Sequence, residues 1–151
     1  MNNANLSNMS LSASKANKHL GQNGEDAAAN YLTNLGYTIL KRNFRAHVGP
    51  QSSGSSMSRQ RVRPGRILAE LDIIAQDQST LVFVEVKTRS PRYGGNPLES
   101  ITPQKQARMR LAAQLFLDQA HPTCKALRFD AIGLIPGPDG WQIQHIKNIM
   151  P

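Results

Sequence analysis

Two carboxylates and a lysine, Asp72, Glu85 and Lys87, stand in neighbouring segments whose spacing can bring them together. Residues 67–76 (ILAELDIIAQ) and 81–89 (LVFVEVKTR) are both rich in β-branched side chains, and Asp77-Gln78-Ser79-Thr80 between them has the polar composition of a short hairpin connection. If Gln76 pairs with Leu81, the antiparallel register sets Asp72 opposite Glu85 and Glu70 opposite Lys87, all on one face. Directly opposed Cβ atoms are ~4.5–5.5 Å apart, and like charges in such a pair repel. Two opposed acids therefore ask for a cation. Hard oxygen donors suit Mg²⁺ or Mn²⁺, which keep several waters and can also take substrate phosphate. Lys87, one pleat beyond Glu85, can orient a water or neutralise charge that builds up on a phosphoryl group. A lone Glu-x-Lys on a strand is usually a solvated face; only its combination with an opposed Asp72 points to a site, and a one-residue slip of the hairpin would undo that pairing.

A fourth acid comes from an earlier segment. From His19 to Leu35 the apolar positions Ala28, Tyr31, Leu32 and Leu35 recur at helical spacing, and Gly36 stands where a helix C-terminal glycine belongs. Glu25 precedes Ala28, Ala29 and Leu32 by three, four and seven residues, so it lies on the apolar stripe and is expected to face the sheet. A carboxylate there is costly unless paired or metal-bound.

The remaining elements follow from pattern. YTILKRNFR (37–45) alternates as a strand ending near Ala46, with Tyr37, Ile39 and Lys41 on one side. SPRYGGNP (90–97) is turn-rich, and Thr102 followed by Pro103 opens a helix whose stripe of Met109, Ala112, Leu115 and Phe116 runs to about Ala120. ALRFDAIGLI (126–135) and WQIQHI (141–146) flank a Pro/Gly-rich turn as two more strands. The order is helix, three strands, helix, two strands, which predicts an α/β fold: one sheet of mixed direction with helices packed on it. Residues 1–17, rich in Asn, Ser and Ala, read as a disordered tail, and 18–151 as a single domain interrupted at 47–66 by a flexible loop with a basic end.

Composition bounds the partners. Eighteen Lys and Arg against ten Asp and Glu give a net charge of +8, which favours polyanions, nucleic acid ahead of an anionic membrane surface. Arg42 and Arg45 end the first strand, Arg89 follows the Glu-x-Lys, and Lys105 and Arg108 lie on the second helix, where Lys105 is best placed to reach the acids. Such residues hold phosphate without reading sequence. The single cysteine, Cys124, forms no internal disulfide, and the four histidines have no metal-ligand spacing and read as surface or packing residues. With no signal-peptide core and no apolar run of ~20 residues, a cytoplasmic protein without a membrane span is expected. Asp130 either faces the acids or pairs with Arg128 or Arg89.

The arrangement of Glu25, Asp72 and Glu85-x-Lys87 resembles the PD-(D/E)XK nuclease superfamily, which includes restriction endonucleases and Holliday junction resolvases. NGEDAAANYLTNLGYTILKRNFR, ELDIIAQDQSTLVFVEVKTR, PLESITPQKQARMRLAAQLFL and RFDAIG are similar, block by block, to the YraN-like family of bacterial proteins. Two departures stand out: Ala69-Glu70-Leu71-Asp72 replaces a usual Gly-Glu-Ile-Asp, and the 47–66 segment is longer than typical. The resemblance implies a restriction-endonuclease-like αβββαβ core and a Mg²⁺ or Mn²⁺ site on Asp72 and Glu85, with Lys87 and Glu25 as catalytic companions. The expected activity is metal-dependent DNA cleavage on branched or repair intermediates, with a dimer where two strands are cut symmetrically. The alternative is a binding module on the same scaffold without turnover.

Overall fold

The computed structural model describes residues 21–47, 67–90 and 97–150. The expected tail at 1–17, most of the expected loop (48–66) and residues 91–96 of the turn-rich segment lie outside them. Helix α1, described over 21–34, is followed by β1 (Thr38–His47), β2 (Ile67–Asp77) and β3 (Thr80–Thr88). A 3-10 turn at Pro97–Ser100 leads into α2 (Pro103–Ala120), then β4 (Ala126–Gly137) and β5 (Gly140–Ile146). The predicted order of elements is the one found.

The five strands form one sheet in chain order, antiparallel except for β3 and β4, which run parallel because α2 carries the chain back between them. One face packs on α2: Phe44, Leu71, Ile74, Leu81 and Phe83 meet Met109, Ala112, Ala113 and Phe116. The other packs on α1, where Ala28, Ala29 and Leu32 cover Ile73, Val82, Val84 and Ile132. Interior β3 is apolar on both faces over Leu81–Val84, as a strand covered on both sides must be.

Local signals explain the helix limits. Thr102 accepts the Lys105 amide at 3.2 Å as N-cap, with Pro103 at the first helical position. At the end of α1 the Tyr37 amide reaches back to the Leu32 carbonyl at 3.0 Å and Gly36 takes a φ of 88°. That reversal leaves Leu35, expected on the buried stripe, 51% exposed.

Strict alternation fails in both β1 and β2. In β2, Leu71 and Ile74 belong to the α2-side core while Ile73 and Ala75 belong to the α1-side core, so the sheet faces switch at Asp72. β1 switches opposite it, at Asn43, whose φ of 50° is left-handed, and its register also shifts between Ile39 and Lys41. The expected grouping of Lys41 with Tyr37 and Ile39 stops at that shift. Among the described residues no helix is long and apolar enough to cross a membrane.

Candidate metal and phosphate site

The β2–β3 hairpin closes through Asp77↔Thr80, with Gln78 left-handed in the turn, and has the expected Gln76↔Leu81 register. Its ladder runs to Ile73↔Val84 and stops one step short of the acids. There the Val86 amide donates to Asp72 Oδ2 at 2.8 Å, so a side chain takes the place of a main-chain acceptor and the two strands part. On its other edge β3 stays paired to β4 through Glu85↔Ala131, Lys87↔Gly133 and Thr88↔Leu134. The site therefore opens along the β2 side of a strand that is fixed on its β4 side.

Glu85 lies fully buried on the α2 face of this opening. Lys87 Nζ stands 2.6 Å from its Oε1, and Lys105 Nζ, reaching over from the first turn of α2, stands 2.8 Å from Oε2. These are ion pairs without hydrogen-bond alignment, and both carboxylate oxygens lack an aligned donor. The Asp72 carboxyl is pushed up from 3.8 to about 7, first by burial and then by the negative charge of Glu85; the Val86 amide, Lys105 and Lys87 offset part of this. Asp72 is thus placed where its own charge is costly. The donors fit a divalent cation: one carboxylate has no aligned donor and the other is charged at a penalty, and a cation between them would relieve both.

The structure brings together Asp72, Glu85, Lys87 and Lys105. Glu25 is partly buried on α1, and among the described residues no three Asp, Glu, His or Cys side chains converge as a ligand set. Its neighbour Gly24 nonetheless ties α1 to the end of β3. A Cβ at Gly24 would lie 2.0 Å from Thr88 Oγ1 and 3.1 Å from Thr88 Cβ, so only glycine allows this approach. Glu70 does not join Lys87, because past Asp72 the β2 strand pairs with β1 alone, and its carboxylate takes Arg45 at 3.2 Å instead.

Of the expected phosphate-binding residues, Arg42 is ion-paired with Asp26 and Arg45 with Glu70, while Arg108 is exposed on α2 and Arg89 is partly buried just beyond β3. Asp130 resolves to the pairing alternative. It lies buried at a position paired with Val84, one residue from Glu85's partner and on the opposite face, and is held by Arg128 Nε at 2.9 Å, His145 Nε2 at 3.0 Å and the Asn148 amide at 3.0 Å. Burial pushes its carboxyl up, but these hydrogen bonds outweigh burial and keep it below the usual carboxylate range. Arg128 extends the cluster to Asp77 at 3.2 Å and the Tyr37 hydroxyl at 2.8 Å. His145 is a packing histidine, set edge-on against Tyr31 and Tyr37. The role of the Val86 amide had no sequence signal, since nothing in a strand pattern marks a side chain that substitutes for the backbone.

Comparison with known proteins gives a consistent result. The model of "Uncharacterised protein family UPF0102" matches residues 24–134. A UPF0102 protein of Symbiobacterium thermophilum is 40% identical over 123 residues, which cover 82% of this chain and 87% of that protein. UPF0102 proteins of Desulforamulus reducens and Geobacter sulfurreducens are 39% and 41% identical over 137 and 133 residues, covering 88% and 87% of this chain and 96% and 88% of their own.

Proposed function

The chain belongs to the uncharacterised protein family UPF0102, the YraN-like family its sequence blocks resemble, and we propose that it is a divalent-metal-dependent DNA endonuclease of the PD-(D/E)XK type. The observation that carries this reading is the buried Glu85 carboxylate, without an aligned donor, set beside a raised Asp72 where β2 and β3 part. Mg²⁺ or Mn²⁺ held by Asp72 and Glu85 would supply Lewis-acid polarisation of the scissile phosphoryl group. Lys87 orients the attacking water and stabilises negative charge as the phosphodiester is hydrolysed. Arg89 and Arg108 hold the DNA backbone, while Arg42 and Arg45, already paired with Asp26 and Glu70, contribute less.

Branched recombination or repair intermediates are the proposed substrates, cut by a homodimer where both strands are cleaved. The test is an assay on linear, single-stranded, flap and four-way-junction DNA with Mg²⁺ or Mn²⁺. Cleavage of at least one substrate is expected, lost in Asp72→Ala and in chelator. Cleavage that survives both would overturn the site.

One observation favours a second reading. Both Glu85 oxygens already carry an ammonium group, so the charge of the site is largely balanced without a metal. A DNA-binding module would keep salt-sensitive binding and show no cleavage with any divalent cation.

A further inference from the structure

Glu85 has two carboxylate oxygens, and each already has a cation on it: Lys87 on Oε1 at 2.6 Å and Lys105 on Oε2 at 2.8 Å. A divalent cation that uses Glu85 must therefore displace an ammonium group before it reaches an oxygen. The two lysines are not equivalent. Lys87 lies on the same strand as Glu85, two residues away, and its backbone is fixed by pairing with Gly133 of β4. Lys105 arrives from a different element, on a flexible four-carbon stem, while its own amide stays anchored on the Thr102 cap. It sits in the first turn of α2, which holds no acidic residue. The N-terminal end of a helix is electropositive and repels an ammonium, so Glu85, and not the helix, keeps Lys105 in place.

Resting on the metal-site reading above, we infer that Lys105 is a built-in counter-ion: it neutralises Glu85 in the metal-free protein and must release it for a divalent cation to bind. Lys105 is a positioning residue, because it acts through Glu85. Without it, burial of Glu85 beside Asp72 would leave two acids facing one lysine. Once released, its ammonium lies at an electropositive helix end next to the acids, where a phosphodiester oxygen is the anion that can take the place of Glu85. Metal entry and phosphate capture would then reinforce each other, as coupled sites must do reciprocally.

The experiment is Mg²⁺ and Mn²⁺ titration calorimetry at pH 8, where Asp72 is ionised, on the full chain and on Lys105→Met, Lys105→Arg, Lys87→Met and Asp72→Asn, with thermal unfolding of each. Lys105→Met is expected to bind metal more tightly, by roughly 5- to 150-fold for a coupling of ordinary size. It should also have a lower unfolding midpoint without metal and a larger rise on metal addition. Lys105→Arg should restore affinity close to that of the unmodified chain, a rescue that a packing defect would not give. Should Lys105→Met fail to fold, Lys105→Gln carries the same expectation. Tight binding by Lys105→Met where the unmodified chain binds weakly or not at all would support the inference most strongly. It would be overturned if the unmodified chain binds metal and Lys105→Met binds no more tightly, or if Lys87→Met alone gains affinity. Absence of binding in both the unmodified chain and Lys105→Met would instead overturn the metal-site reading itself.

Discussion

Asp72 does two jobs with one carboxylate: one oxygen takes the Val86 amide, and the charge faces Glu85. Its folded pKa, about 7, lies above the ordinary 3.8, so the folded state holds a proton that the unfolded state has lost. Metal-free stability should therefore fall as pH rises from about 4 to 7, with a slope approaching 1.4 kcal/mol per pH unit. Asp130 is shifted the other way, and its contribution is lost only as pH falls below the ordinary carboxylate range. Asp72→Asn keeps an acceptor for Val86 and removes the charge; urea titrations across this range should show its slope flattened and its stability at pH 8 raised by roughly 1–3 kcal/mol. Metal affinity should move in the opposite sense, weakening below pH 7 as protons compete for Asp72. Glu85→Gln, which strands Lys87 and Lys105, should cost about 1–3 kcal/mol, since both lysines can turn partly to water. The closeness of Asp72, Glu85 and Lys87 was legible because a tight hairpin turn fixes register across its ladder. The early end of the ladder was not, because it depends on how one side chain competes with a carbonyl.

At the scale of elements, the site depends on where α1 and α2 meet the end of β3. Gly24 against Thr88 sets the first contact, so Gly24→Ala should destabilise the fold by about 1–3 kcal/mol by pushing the helix off the strand. Adding Thr88→Ala removes the nearest atom and should return part of the loss, a coupling that a double-mutant cycle would measure. Lys105 on Glu85 makes the second contact, and Thr102 caps the turn that carries it, so Thr102→Ala should cost about 0.5–2 kcal/mol in denaturant while loosening that turn. Helix limits were legible because caps are local chemistry: Thr102-Pro103 and Gly36 each announce a boundary. The face switch at Asn43 and Asp72 was not, because it takes a left-handed residue on one strand and a ladder end on the other, and neither alters the hydrophobic count of its own segment. Glu25 marks the same limit: helical spacing sets it in line with the buried Ala28, Ala29 and Leu32, but spacing says nothing of how far a side chain lies from acids on another element.

Across the whole molecule, a charge of +8 favours polyanionic partners, and the DNA binding proposed above would then be electrostatic and independent of any cleavage. Binding should weaken steeply with salt, and Arg89→Ala and Arg108→Ala should each lower the magnitude of the log–log salt slope by about 1, whereas Arg42→Ala and Arg45→Ala should lower it less. Charge and its sign could be read from composition. The distinction between spent and available arginines could not, because Asp26 and Glu70 reach Arg42 and Arg45 only once α1 and β2 flank β1.

If Asp72 and Glu85 together hold a divalent cation, as proposed, paramagnetic Mn²⁺ added in small amounts to ¹⁵N-labelled protein reads its position directly. The amide signals of Asp72, Glu85 and Val86 are expected to broaden first, and this broadening to disappear in Asp72→Asn. Selective broadening elsewhere, or the same broadening in the variant, would contradict it.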